Sequence, residues 1–470
     1  TVVTEGDVGT YISYNFHSVE SYSRIGSYKG NGSTNGTLIV TGFEPAFVII
    51  KKTSGAGAWM ITDNKRNTSN PRNSILQAQA AAQESTSTSN NIDFYTNGFQ
   101  IKTTNGDYNS SGGTYIFMAF AQDPDTTPAT LANSFEAKTY TGNGGNQSIT
   151  LSNGMKPDFV WIKSRDTTGF EHCLFDTVRG AGASKVLFAD TTQAQGGNLA
   201  APMNSFDSNG FTVSTRADGN ANILVNKSGD DLIAWNWKAA DHDRDLATIN
   251  QDGSITSLVS ANPASGFSIV GFTGNGSVGS VGHGLDSTPE LIIMKNRDGT
   301  NGWVVRSSAL GNGYLLLNSS NAYSSTAFWV NPTDSVFSFT SSSSGTISNN
   351  KHIAYCFTSI TSYQKIGSYN GSGVAGKRVY VTNDGLATGS GGFQPSYVLI
   401  KCSTASSTDW LIFTSNVVDG SGNPVMLRAN TAESQFTGDR VQFTSDGFTI
   451  EDADGSRNGS GRTYIYLAIA

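Results

Sequence analysis

The chain has 470 residues, a formal net charge of -7 and only 14% charged residues. That length holds about three to four domains. The even, slightly acidic charge offers no basic footprint for nucleic acid, and no apolar run reaches the roughly 18 residues of a membrane-spanning helix. Three cysteines, Cys173, Cys356 and Cys402, fit neither a disulfide framework nor a zinc-ligand spacing, so they read as small buried hydrophobes.

One phrase returns four times, and the elements follow from it in chain order. Residues Tyr11 to Tyr28 match His352 to Tyr369 at a constant offset of 341, with Tyr14, Phe16, Ile25, Gly26, Ser27 and Tyr28 identical to their counterparts. Because 352–357 closes a later repeat, residues 1–16 are expected to be the closing strand of an upstream repeat. Repeat 1 covers 17–121. It opens on Tyr28 with Gly30-Asn31-Gly32, places Pro45 before the apolar run Phe47 to Ile50, and follows with Lys51 and a short strand at Trp59-Met60-Ile61. Short β-branched runs bounded by proline and lysine predict buried strands. Ser74 to Glu84, rich in Ala and Gln, predicts a short helix. Phe94 to Phe99 predicts a hairpin around Asn97-Gly98, and Tyr115 to Phe120 a closing strand with large side chains on both faces.

Repeat 2 with its following linker is assigned to 122–268. It runs through Tyr140, Pro157, Phe159 to Ile162, Lys163, Cys173 to Phe175, a hairpin at Asn209-Gly210 and a closing strand from Leu232 to Trp237. The stretch from Ala239 to Phe267 reads as linker. Repeat 3, 269–358, carries Phe272, Pro289, Leu291 to Met294, Lys295, Trp303 and a closing strand from His352 to Phe357, but has Asn331-Pro332 where the others have the hairpin glycine. Repeat 4, 359–470, carries Tyr369, Pro395, Tyr397 to Ile400, Lys401, Trp410, a weak helical segment from Met426 to Glu433, the Asp446-Gly447 hairpin and a closing strand from Tyr464 to Ile469. The expected architecture is all-β: a row of about four β-sandwich domains of jelly-roll or lectin-like type.

Catalytic signals are poor. No nucleophile elbow, zincin or phosphate-loop motif occurs in a strand-to-helix context, and the Gly-Asn-Gly openings read as turns, with no helix behind them to present a dipole. Of the five histidines, His17, His172, His242, His283 and His352, none has a metal-partner histidine at useful spacing. Asp241, Asp243 and Asp245 read as a solvated linker run in preference to a cation site, and Glu451, Asp452 and Asp454 lack an EF-hand register. Trp59, Trp303 and Trp410 recur at one station; core packing outweighs sugar stacking as their role. Trp161, Trp235 and Trp237 read as core or domain interface. No catalytic, cofactor or metal residue is assigned, and ligand-binding residues stay unassigned.

The phrases "VSANPASGFSIVGFTGNGSVGSVGHGL", "IAYCFTSITSYQKIGSYNGSG", "KPDFVWIKSRDTTGFEHCLFDTVRGAG" and "TYIFMAFAQDP" resemble tandem modules of virion structural proteins of tailed bacteriophages. The resemblance covers nearly the whole chain and brings no catalytic motif with it. It implies a non-enzymatic virion protein, a tail fibre or adhesion appendage on the particle surface that contributes to particle architecture and host-surface attachment. The implied partners are other virion proteins, further copies of the chain in a homo-oligomer such as a trimer, and a host surface glycan; nucleic acid and membrane insertion are not implied. A capsid decoration or head fibre is the alternative within the virion. A bacterial cell-surface carbohydrate-binding protein is the alternative outside it.

Overall fold

Glycine, proline and asparagine cut the sequence into short aromatic and β-branched runs, and sheets are how such runs pair their backbone amides. The computed structural model describes residues 14–19, 22–95, 98–122, 131–196, 201–216, 218, 221, 223–239, 247–340, 349–438 and 440–470. Strands dominate these residues. The only α-helix among them is the single turn Gly106–Asn109. The chain divides into two compact units, Thr1–Thr127 and Pro128–Ala470. Unit 1 contains one module and unit 2 contains three.

Every module is a large antiparallel sheet facing a three-stranded one. In module 2 the large sheet runs Phe135–Thr141, Asp231–Trp237, Phe159–Ser164, Cys173–Asp176, Leu187–Phe188, and the small one Gln147–Thr150, Gly210–Val213, Met203–Asp207. Module 4 repeats this order with Gln364–Asn370, Thr463–Ile469, Tyr397–Cys402, Trp410–Val418 and Pro424–Arg428. Module 1 adds a sixth strand, Ser85–Thr86, at the far edge of its large sheet. Between the two sheets of each module lies an apolar core, built in module 1 from Tyr28, Val48, Ile50, Phe99, Tyr115 and Phe117. The other three modules have matching cores.

The sequence suggests a row of sandwiches; unit 2 instead gathers its three modules around one further core. The large-sheet faces turned away from the small sheets meet there, contributing Trp235 and Trp237 from module 2, Trp303 and Tyr355 from module 3, and Trp410 and Leu467 from module 4. The cause is the two-faced apolar character of these sheets. A strand such as Asp231–Trp237, buried along nearly all its length, needs cover on both sides.

Four further expectations change. Ser74–Gln77 and Pro424–Arg428 are strands, not helices. Pairing of Met60 with Gln77 and Ile412 with Leu427 outweighs the weak helical preference of Ala and Gln. The stretch read as linker contains Thr248–Asn250 and Ser257–Asn262, which extend the large sheet of module 3 to seven strands. The hairpin glycines are not turn residues. Asp207 pairs with Gly210 and Thr444 with Gly447, so the loops are Ser208-Asn209 and Ser445-Asp446. Glycine is required because a Cβ at Gly210 or Gly447 would lie 1.9 or 2.1 Å from the carbonyl of Ile149 or Val379 on the neighbouring strand. Asn97 lies outside the described residues. So does most of the segment read as an upstream closing strand, and its described part, 14–16, carries no strand. The bridge Val19–Ser23 beyond it recurs at Ile360–Gln364, keeping the offset of 341.

A candidate interaction site where the modules meet

The recurrent tryptophan station has the same local frame in all four modules. Its backbone N–H donates to a side-chain oxygen on the strand-edge turn: Trp59 to Gln79 Oε1 at 2.8 Å, His172 to Asp190 Oδ1 at 3.2 Å, Trp303 to Asn318 Oδ1 at 2.8 Å and Trp410 to Asn430 Oδ1 at 2.7 Å. Its carbonyl accepts from the N–H of Ala78, Ala189, Leu317 or Ala429 at 2.8–3.1 Å. The side chain at this station therefore leaves the same backbone frame in each module.

In unit 2 those rings join the modules in a closed cycle. Trp303 Nε1 donates to the Phe188 carbonyl of module 2 at 2.7 Å, and Trp410 Nε1 to the Leu316 carbonyl of module 3 at 2.9 Å. His172 Nε2 closes the ring on the Arg428 carbonyl of module 4 at 3.0 Å. The three acceptors are equivalent, each standing opposite the residue after the station: Cys173 pairs with Phe188, Val304 with Leu316 and Leu411 with Arg428. Seven residues beyond each acceptor a main-chain bond repeats the cycle: Gln195 N to Arg297 O (2.7 Å), Tyr323 N to Ser403 O (2.8 Å) and Gln435 N to Arg165 O (2.8 Å). Each module thus gives one set of contacts and receives one.

Module 2 has the smaller His172 where the other three have Trp, and makes up the volume with Trp161, which occupies the place of Ile49, Ile293 and Leu399. Trp161 Nε1 donates to His172 Nδ1 at 2.8 Å. The Arg428 carbonyl can only accept, so Nε2 carries the proton and the imidazole is neutral. Burial, reinforced by the Lys163 ammonium, holds its pKa well below the ordinary histidine value.

Charged groups are also enclosed. Asp176 and Arg179, both buried, pair at 2.5 Å, and Tyr355 from module 3 donates to Asp176 Oδ2 at 2.7 Å. The lysines that follow the strand prolines, Lys163, Lys295 and Lys401, are fully buried, and burial pushes each down to about 8. Backbone carbonyls accept their N–H hydrogen bonds. Lys295 Nζ reaches Gly299 O and Asn301 O in its own loop and Thr192 O in module 2, at 3.1, 2.6 and 3.1 Å.

An acid-dependent loss of stability follows for unit 2. His172 and His283 lie below their ordinary pKa because of burial, and burial brings His352 down to about 4. The unfolded chain takes up these protons below about pH 6.5 and the folded chain does not, so stability is complete above that pH and falls as the pH drops toward the folded values. Asp190, pushed up to about 7 by burial, acts oppositely, because the folded state holds its proton where the unfolded state has lost it. Three histidines against one aspartate leave a net uptake of protons on unfolding in the acid range below the ordinary histidine pKa. Urea melts of the unit 2 transition between pH 7 and 5 will show a midpoint falling with pH; a flat profile would contradict the burial of these histidines.

The residues singled out from the sequence fall as follows. Trp303 and Trp410 are 0% and 1% exposed in the shared core, which also holds Trp161, Trp235 and Trp237. Trp59 is 38% exposed. The three cysteines are free and buried. His17 is exposed, with its Nδ1 at 2.9 Å from the Ser18 carbonyl, while His242 and the 241–245 aspartates lie outside the described residues. Asp452 and Asp454 pair with Arg457. Among the described residues no group of three or more His, Cys, Asp or Glu is placed to hold a metal ion, and no helix is long and apolar enough to cross a membrane.

One repeated station escaped the sequence reading: the buried asparagines Asn109, Asn226 and Asn458. Their Oδ1 atoms accept from Asn31, Asn143 and Ser372 at 2.8, 3.0 and 2.8 Å, fastening the glycine-rich openings. The signal was present as Asn-x-Ser-Gly at 109–112, 226–229 and 458–461.

Fold and junctions together define a tandem-repeat, all-β protein in which the three modules of unit 2 are joined through buried sheet faces. The chain belongs to the family described as Domain of unknown function (DUF7483), which matches residues 2–124 and 131–470. No curated protein and no solved structure matches it.

Proposed function

We propose that this protein is a non-enzymatic structural component of a bacteriophage virion, a tail fibre or adhesion appendage that builds the particle surface and contributes to host attachment. The observation that carries the reading is the use of the buried polar groups. His172, the Asp176–Arg179 pair and Lys295 all make contacts between modules, and buried contacts of this kind suit a part that must hold its shape under load. The resemblance of the long repeat phrases to virion modules supplies the setting. In that setting the partners are other virion proteins and further copies of the chain, with a host surface glycan as the target of attachment.

Immunogold labelling and cryo-electron microscopy of purified particles test this. Label on the tail at tens of copies or fewer is expected. Hundreds of copies over the head would move the protein to capsid decoration, and absence from particles would overturn the virion assignment.

A further inference from the structure

The cycle of unit 2 has one seam unlike the other two. Trp303 and Trp410 close the seams of modules 2 with 3 and 3 with 4 through an indole N–H, which does not titrate. The seam of modules 2 and 4 is closed by His172. It joins the first and last modules of the cycle, which no linker connects directly. Hydrogen bonds and apolar faces alone hold it. Gly169 N donates to Ala432 O at 2.7 Å, Gln435 N to Arg165 O at 2.8 Å, Arg165 Nε to Gln435 Oε1 at 2.9 Å, and Asn416 Nδ2 to Ala137 O.

Both ring nitrogens of His172 are committed. Nε2–H donates to the Arg428 carbonyl, and Nδ1 accepts from Trp161 Nε1 at 2.8 Å. A second proton would have to sit on Nδ1, where it would meet the indole N–H head on. The groups around the ring offer no compensation. In module 2, Trp235 stacks beside it with centroids 6.4 Å apart, the Lys163 ammonium repels a positive ring, and burial keeps the Cys173 thiol neutral. Glu171, beside it in the chain, makes no bond to the ring. In module 4 the Arg428 guanidinium is paired with Asp409 at 3.2 Å and Glu433 at 2.7 Å. The closed seam therefore excludes the imidazolium. Parting it gives the ring to water, where it takes a proton at the ordinary histidine value. Asp190 does not offset this. Its Oδ1 bonds within module 2, and its turn faces module 3, where Thr192 O accepts from Lys295 and Gln195 N donates to Arg297 O. Parting modules 2 and 4 leaves that cover in place.

We propose that acid parts unit 2 at this one seam, converting the closed ring into an open arc in which modules 2 and 3, and 3 and 4, stay joined. Opening bares Trp235 and Trp237 on one sheet face and Tyr397 on the other, which pack together across the seam. The device goes beyond the virion assignment and does not depend on it. It also differs from global acid unfolding, because every module keeps its fold. A single proton taken up only by the open form raises the opening constant about tenfold per pH unit below about 6.5, or about 30-fold between pH 7.5 and 5.

Hydrogen–deuterium exchange of the full chain, corrected for the intrinsic rate at each pH, reads the three seams separately. Away from the melt, junction amides exchange by local opening. Protection of Gly169 and Gln435 should fall about 30-fold between pH 7.5 and 5, while Gln195 and Tyr323, at the other two seams, change by less than about threefold. Trp161→Ile/His172→Trp gives module 2 the residues of module 3, Ile293 and Trp303, and should abolish the fall. Should that variant not fold, His172→Gln, which keeps a neutral donor, takes its place. Equal falls at all three seams would mean global unfolding and overturn the proposal. So would unchanged protection at Gly169 and Gln435, or a fall there that survives in either folded variant.

Discussion

Trp410→Ala will lower the stability of unit 2 by about 3–5 kcal/mol, the usual cost of removing a large aromatic from a packed core. Trp410 is 1% exposed, lies in the core shared by the three modules, and its indole N–H holds the Leu316 carbonyl across a junction. Two losses combine: apolar area that no other side chain can cover, and one bond of the three-module cycle. Spread over a unit of roughly 340 residues, at about 2.1 cal/mol/K of unfolding entropy per residue, the loss lowers the midpoint of the unit 2 transition by about 5 °C. Trp410→Phe separates the terms. It keeps an aromatic ring and removes the donor, leaving Leu316 with the Ser319 N–H, and should cost about 1–2 kcal/mol. Thermal melts of the two variants check the ordering; equal effects would mean that the hydrogen bond, not the packing, dominates.

Asp176→Ala is expected to be as damaging for an electrostatic reason. It leaves the Arg179 guanidinium buried between modules 2 and 3 without its counter-charge and takes the acceptor from Tyr355. Removing one partner of a buried pair costs about 3–5 kcal/mol, whereas replacing both with apolar groups is often close to neutral. The double variant Asp176→Ala/Arg179→Met should therefore recover most of the loss. Module 1 supplies the control. Asp63 and Arg66 form the same i,i+3 pair at 2.6 Å, but each side chain is 20% exposed, so water shares the charge and Asp63→Ala should cost less than Asp176→Ala. Chemical denaturation of the three variants decides it. A double variant no better than the single would place the damage in Tyr355 or in packing.

The repeating strands were legible because alternation, proline and glycine are local signals that each module restates. The tryptophan station was legible as a repeat, yet its target was not. Phe188, Leu316 and Arg428 share no side-chain chemistry, since what they offer is a carbonyl that every residue has. His172 hid the same station in module 2, and only the compensating Trp161 on the adjacent strand marks it. The Ala- and Gln-rich segment from Ser74 pointed to helix because edge pairing with Trp59–Asp63 is a tertiary effect that no local window contains. The hairpin glycines were identified correctly and explained wrongly: the need for glycine comes from the carbonyl of a strand some 60 residues away in sequence, Ile149 for Gly210. The ring itself follows from apolar residues on both faces of one sheet, which announce a neighbour without naming it.

Differential scanning calorimetry of the intact chain tests the shared core most directly. Three modules built around one core should melt together, as a single transition whose van 't Hoff and calorimetric enthalpies agree and which carries about 240 kcal/mol, at about 0.7 kcal/mol per residue near 60 °C. Three separate transitions of about 80 kcal/mol each would mean that the modules of unit 2 are independent sandwiches, and would contradict the ring.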